Sequence, residues 1–145
     1  MSTIARSLTT PPAGAADLGL LIGRIAVGVV FVVHGWQKWR DGIAGTQAGF
    51  DSMGVPAADA AAIAQASLEV GGGALLVLGA LTPIVGGLLG LSMLGAAWFA
   101  HREAFLVADG GAEFVLVLAA ASFLLALAGP GRFSVDAALR RRSPA

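Results

Sequence analysis

Residues 18–36 read LGLLIGRIAVGVVFVVHGW, a nearly uninterrupted apolar run. The run carries two ionisable side chains, Arg24 and His34, and polar residues follow it after Trp36. As an α-helix it would be about 28 Å long, close to the roughly 30 Å thickness of the hydrocarbon core of a bilayer. This run therefore predicts a membrane-spanning helix.

The composition of the whole chain also favours a membrane protein. Of the 145 residues, 57% are hydrophobic and 12% are charged. This charged fraction is about half that of an average soluble domain. The formal net charge is zero, so we expect no basic face for nucleic acid. The chain has no cysteine, which excludes disulfides, thiolate metal sites and dithiol chemistry carried out by this chain itself.

Three further apolar runs have the length of membrane helices, and Gly, Pro or charged residues separate them. We predict an all-α, integral membrane four-helix bundle with up-down topology. Glycines inside the runs, such as Gly86 and Gly90, predict close helix packing. The predicted spans are 18–36, 57–81, 83–100 and 112–128; they lie in a transmembrane domain at 17–139, between a flexible N-terminal tail at 1–16 and a basic C-terminal tail at 140–145.

An even number of crossings places both termini on the same side of the membrane. Cytoplasmic loops of membrane proteins carry an excess of Lys and Arg, so the more basic side is expected to face the cytoplasm. We therefore predict cytoplasmic N and C termini. The terminal side would hold Arg6, Arg132 and residues 140–142, and the opposite loops would hold Lys38, Arg40 and Arg102.

Arg24 and Glu69 lie well inside the first two spans, away from the span ends. A charge at the centre of a membrane helix costs roughly 2.5–3.5 kcal/mol on insertion scales, so we expect it to be paired. Counted from the ends of their spans, Arg24 and Glu69 lie at similar depths. We predict a buried Arg24–Glu69 ion pair, joined by Gln65 one helical turn away. The pair could fix the helix register alone, or it could form part of a polar substrate or proton site.

A second polar cluster is predicted at the opposite membrane face, where the ends of three spans meet. A histidine and a carboxylate beside aromatic rings can bind a quinone-like head group and exchange protons with it. Two histidines could also ligate a haem iron, or bind another metal together with a glutamate. The spacing does not favour haem, we predict no metal site, and no pattern identifies a catalytic group. The candidate ligand-binding residues are His34, Lys38, His101, Glu113, Trp36 and Trp98.

The polar positions lie in motifs that resemble those of the DoxX family. The resemblance extends over roughly residues 18–139, which is most of the chain. The motifs are RIAVGVVFVVHGWQK at 24–38, Glu69 followed by Gly72-Gly73, LGALTP at 78–83, GAE at 111–113 and GPGRFSVD at 129–136.

The resemblance implies a small four-helix protein of the bacterial inner membrane. Some relatives look like subunits of a thiosulfate:quinone oxidoreductase, and others are associated with thiol and oxidant defence or with catechol and quinone detoxification. This chain would then bind a quinone or anchor soluble redox enzymes, as a quinone-interacting or non-catalytic subunit, and it could form a homo-oligomer. Thiol chemistry would belong to a partner or substrate, because cysteine is absent. Two alternatives stay open: a small transporter that uses the Arg24–Glu69 network, and a purely structural membrane subunit.

Overall fold

The computed structural model describes residues 12–142, and in that part of the chain helices are joined by turns and loops, without strands. The predicted all-α class is confirmed. Residues 1–11 of the predicted N-terminal tail and residues 143–145 of the predicted basic tail lie outside the described residues. The helices are α1 (Ala15–Arg40), α2 (Ile43–Ser52), α3 (Ala58–Leu78), α4 (Thr82–Ala100), α5 (Glu113–Ala128) and α6 (Val135–Arg142).

Three of these helices, α1, α3 and α4, are long and apolar enough to cross a membrane. Helix α5 is also apolar but has 16 residues, which makes it about 24 Å long. Large apolar side chains such as Ile22, Leu91 and Leu127 are exposed on the outside of the helices, as expected where lipid surrounds them. The predicted apolar runs are therefore helices, and α1 continues past its predicted end at Trp36 as far as Arg40.

Glycines allow these helices to pack backbone against backbone. A Cβ atom added at Gly28 of α1 would lie 2.6 Å from the carbonyl oxygen of Gly73 on α3. A Cβ atom at Gly86 of α4 would lie 2.8 Å from the carbonyl oxygen of Ser122 on α5. Neither position has room for a side chain, so the backbone of α1 lies against that of α3, and the backbone of α4 lies against that of α5. This is the close helix packing that the glycines predict.

The segment that leads into α6 closes one end of the helix assembly. The Asp136 carboxylate accepts hydrogen bonds from the backbone N–H groups of Leu81, at 2.9 Å, and Thr82, at 3.1 Å. The N–H of Asp136 itself donates to the carbonyl oxygen of Gly79 at 3.0 Å. Asp136 therefore caps the N-terminus of α4 from outside that helix. This cap ties the C-terminal segment to the tight α3–α4 connection.

We expect Asp136→Ala to lower the free energy of unfolding by about 1–2 kcal/mol, because two N–H groups at the start of α4 lose their acceptor. Titration of the detergent-solubilised protein with SDS, followed by circular dichroism, measures this change. Asp51→Ala alters an exposed carboxylate on α2 and serves as the matched control. An equal shift of the unfolding midpoint in both variants would contradict the capping role.

Candidate functional site

A cavity of about 480 Å³ lies among α1, α3, α4 and α5. Phe50 at the end of α2, with Met53 and Val55 just after it, contributes to the wall. Most of the lining is apolar, so the few polar side chains are the groups that can orient a bound molecule. These polar side chains are His34, Lys38, Gln65, Glu69, Ser92 and His101.

An ion pair between α1 and α3 forms the polar part of the wall. Lys38 Nζ lies 2.5 Å from Glu69 Oε2, and the side chains are 24% and 4% exposed respectively. Glu69 Oε1 accepts a hydrogen bond from Gln65 Nε2 at 2.8 Å, and the same nitrogen lies 3.4 Å from Ser92 Oγ on α4. The buried carboxylate is therefore both paired and hydrogen-bonded, as a charge removed from water requires.

Glu69 lies in a π-helical turn, Leu68–Gly72, in the middle of α3. Single π-helical turns inside α-helices are rare and occur frequently at functional sites. Gly35 of α1 packs directly against this turn, since a Cβ atom there would lie 2.7 Å from Glu69 Cβ and 2.8 Å from the Val70 nitrogen. Lys38 follows Gly35 by nearly one helical turn. The close approach at Gly35 thus brings the ammonium of Lys38 within reach of the Glu69 carboxylate.

Both histidines of the chain line the cavity. His101 Nδ1 lies 2.7 Å from the carbonyl oxygen of Gly110. A carbonyl oxygen only accepts hydrogen bonds, so Nδ1 carries the hydrogen and Nε2 of the neutral ring is an acceptor. The ring of His34 lies near that of Phe114, with centroids 6.4 Å apart and an interplanar angle of 39°.

Three of the six residues predicted to bind a ligand do not line the cavity. Glu113 Oε1 accepts a hydrogen bond from the backbone N–H of Val107 at 2.7 Å, and so holds the loop before α5. Trp36 and Trp98 are 59% and 65% exposed, which suits anchors at a membrane interface. The predicted residues that do line the cavity are His34, Lys38 and His101.

The predicted ion pair between Arg24 and Glu69 is wrong. The guanidinium of Arg24 donates through Nη1 to the Val77 carbonyl oxygen at 3.3 Å, and through Nη2 to the Phe133 carbonyl oxygen at 2.5 Å. Glu69 pairs with Lys38 instead. Arg24 is therefore held near the C-terminus of α3, where the negative end of the helix dipole favours a cation.

The physical reason for this error is the register between α1 and α3. Gly35 is level with Glu69, and Arg24 lies three helical turns before Gly35, or about 16 Å along the axis. The sequence gives the depth of Arg24 from one membrane face and that of Glu69 from the opposite face. The predicted span at 57–81 would be about 38 Å long, which exceeds the roughly 30 Å hydrocarbon core. Similar depths counted from opposite faces therefore do not place the two side chains at the same level. Gln65 bonds to Glu69 as predicted.

The sequence did not assign several cavity residues to this site. Gln65 and Glu69 carry a recognisable signal, because residues one turn apart share a helix face, but they were placed with Arg24. No pattern in the sequence placed Ser92, Phe50 or Met53 beside them. Across residues 12–142, no three His, Asp or Glu side chains are grouped so that they could hold a metal ion.

Apolar helices around a mostly apolar cavity, with a few polar side chains in its wall, define a small helical membrane protein with a ligand-sized site. The chain belongs to the DoxX family, whose family model, described as DoxX, matches residues 19–102. The predicted family is confirmed. The match includes every polar residue of the cavity wall.

Three relatives match most of the chain. CatD of Bacillus subtilis (strain 168), named as a candidate oxidoreductase, is 37% identical over 120 residues, which cover 83% of this chain and 86% of CatD. The inner membrane protein YqjF of Escherichia coli (strain K12) is 34% identical over 134 residues, 87% of this chain and 95% of that protein. The inner membrane protein YphA of the same organism is 35% identical over 123 residues, 81% of this chain and 87% of that protein. No solved structure gives a significant match.

Proposed function

We propose that this protein binds a quinone-like lipophilic redox molecule in its cavity. The observation that carries the proposal is the convergence of Lys38, Glu69 and His101 on one mostly apolar cavity of about 480 Å³. Sites for small molecules usually have apolar walls, a few oriented polar groups and volumes of about 300–1,000 Å³. A lipophilic molecule could reach such a site from the surrounding membrane.

The polar groups suit the head group of a quinone in both of its oxidation states. An ammonium has three hydrogens, so Lys38 can donate to a quinone carbonyl oxygen while it stays paired with Glu69. Nε2 of neutral His101 accepts a hydrogen bond, so it suits a hydroxyl of the reduced form. Phe99 and Phe114 supply aromatic wall, against which a quinone ring can pack.

The names of the relatives support a redox role in an inner membrane. CatD is named as a candidate oxidoreductase, and YqjF and YphA are named as inner membrane proteins. Our proposal includes four crossings, by α1, α3, α4 and α5, with cytoplasmic termini beside the arginines of α6. Soluble redox enzymes would be the partners of the chain, since it has no cysteine of its own. The transporter alternative depended on an Arg24–Glu69 network, and those side chains have other partners.

Isothermal titration calorimetry with menadione, on protein purified in a mild detergent, tests the proposal. Lys38→Met/Glu69→Met removes both charges together and is expected to weaken binding at least about tenfold, because hydrogen bonds to charged groups contribute about 1.5–3 kcal/mol. Glu113→Gln removes a nearby carboxylate that does not line the cavity, so it should bind menadione like the unaltered protein. Unchanged affinity in the double variant, with helical content retained, would contradict the proposal.

A further inference from the structure

A second recess lies at the opposite end of α5 from the ligand cavity. It is an open cleft of about 550 Å³ that follows the C-terminus of α5. Three arginines line it, together with a single acidic residue, Asp17. The lining residues are Asp17, residues 128–132, Ala137, Arg140 and Arg141.

Hydrogen bonds fix the backbone that carries these arginines. The N–H of Arg132 donates to Asp17 Oδ1 at 2.8 Å, which attaches the α5–α6 connection to the first turn of α1. Arg141 Nη2 lies 3.4 Å from the carbonyl oxygen of Arg132. With Asp136 anchored to the α3–α4 connection, the cleft is held at both of its edges. The fold therefore fixes the backbone positions from which these arginines extend.

The charge of the cleft is not balanced within residues 12–142. Asp17 lies beside Arg132, with Oδ2 and Nε 3.9 Å apart, and in that part of the chain no carboxylate pairs with Arg140 or Arg141. Both of these side chains are exposed. Guanidinium groups bind phosphate oxygens through paired hydrogen bonds. The chemistry of the cleft is therefore that of a phosphate site.

Exposed apolar side chains that neighbour cleft residues in the sequence favour a lipid over a free phosphate ion as the ligand. Leu127 is 88% exposed, Leu139 58% and Phe133 45%. Arginines next to exposed apolar side chains, at the end of a membrane helix, suit a phospholipid whose phosphate lies among the cations and whose acyl chains lie along the helix. We propose that the Arg132–Arg140–Arg141 cleft binds the phosphate of an anionic phospholipid such as phosphatidylglycerol.

Native mass spectrometry of the detergent-purified protein, titrated with phosphatidylglycerol or with phosphatidylcholine, tests this site. The unaltered protein should retain phosphatidylglycerol about tenfold better than phosphatidylcholine, and Arg140→Gln/Arg141→Gln should remove this preference. The matched control, Arg40→Gln/Arg102→Gln, removes two exposed arginines outside the cleft and should still prefer phosphatidylglycerol. Equal retention of the two lipids by the unaltered protein, or equal loss in both double variants, would overturn the proposal.

Two further measurements separate a lipid site from a free-anion site and from a loss of folding. Inorganic phosphate should displace no more lipid than sodium chloride does at the same ionic strength. Displacement by phosphate well beyond that of sodium chloride would indicate a free-anion site and overturn the proposal. If Arg140→Gln/Arg141→Gln does not fold, Arg140→Lys/Arg141→Lys keeps the charge and should keep the preference. In the unaltered protein the preference for phosphatidylglycerol should also fall as salt concentration rises. A preference that did not depend on salt would contradict the proposal.

Discussion

Lys38→Met is expected to lower the free energy of unfolding by about 3–5 kcal/mol, the usual cost of removing one partner of a buried ion pair. The Glu69 side chain is 4% exposed, so its carboxylate would be poorly hydrated once the ammonium is removed. Gln65 still donates one hydrogen bond to it, but an amide does not neutralise the charge. Titration with SDS in mixed micelles, followed by circular dichroism, measures the loss.

The double variant Lys38→Met/Glu69→Met separates the effect of the unpaired charge on stability from the effect of losing the lysine side chain's packing. Replacing both members of a buried pair by apolar residues of similar volume is often neutral, so we expect stability within about 1 kcal/mol of the unaltered protein. Arg102→Met breaks an exposed pair, whose members are 61% and 89% exposed, and should leave stability unchanged. If the double variant were as unstable as Lys38→Met, the unpaired Glu69 charge would not be the cause of the instability of Lys38→Met.

The apolar helices could be predicted because a membrane helix is specified locally. A run such as 18–36 has the required length and composition in itself, and α1, α3, α4 and α5 each coincide with a predicted run. Glycine packing could be predicted for a similar reason, since small residues are the means by which membrane helices approach. Both features depend on residues that are close together in the sequence.

The contacts between distant segments could not be predicted in the same way. The partner of Glu69 depends on the register of α1 against α3, and the close contacts at Gly28 and Gly35 set that register. An error of about four residues in the end of each of the two spans changes the predicted register between them by about two helical turns. Asp136 lies outside the predicted spans, and the residues around it do not indicate that its carboxylate caps α4. The part of the cavity wall that Phe50, Met53 and Val55 form also depends on contacts between distant segments.

Gly73→Ala is expected to destabilise the protein by about 2–3 kcal/mol, in the upper part of the range for overpacked interiors. The added Cβ atom would lie 2.7 Å from the carbonyl oxygen of Gly28 and 2.9 Å from the nitrogen of Val32. Both are backbone atoms, so α1 and α3 must separate. Their separation also draws Lys38 away from Glu69, so menadione affinity should fall together with stability.

Gly71→Ala is the matched control, because it lies in the same run of three glycines and its added Cβ atom would have no neighbour within 4 Å. It should be neutral or stabilise α3, since alanine favours helix over glycine by up to about 1 kcal/mol. Gly28→Ala introduces the reciprocal clash, 2.6 Å from the Gly73 carbonyl oxygen. Once the helices have moved apart for one Cβ atom the second finds more space, so Gly28→Ala/Gly73→Ala should cost less than the sum of the single changes. Full additivity in SDS titrations would mean that the two glycines do not share one contact, and that α1 and α3 are held together elsewhere.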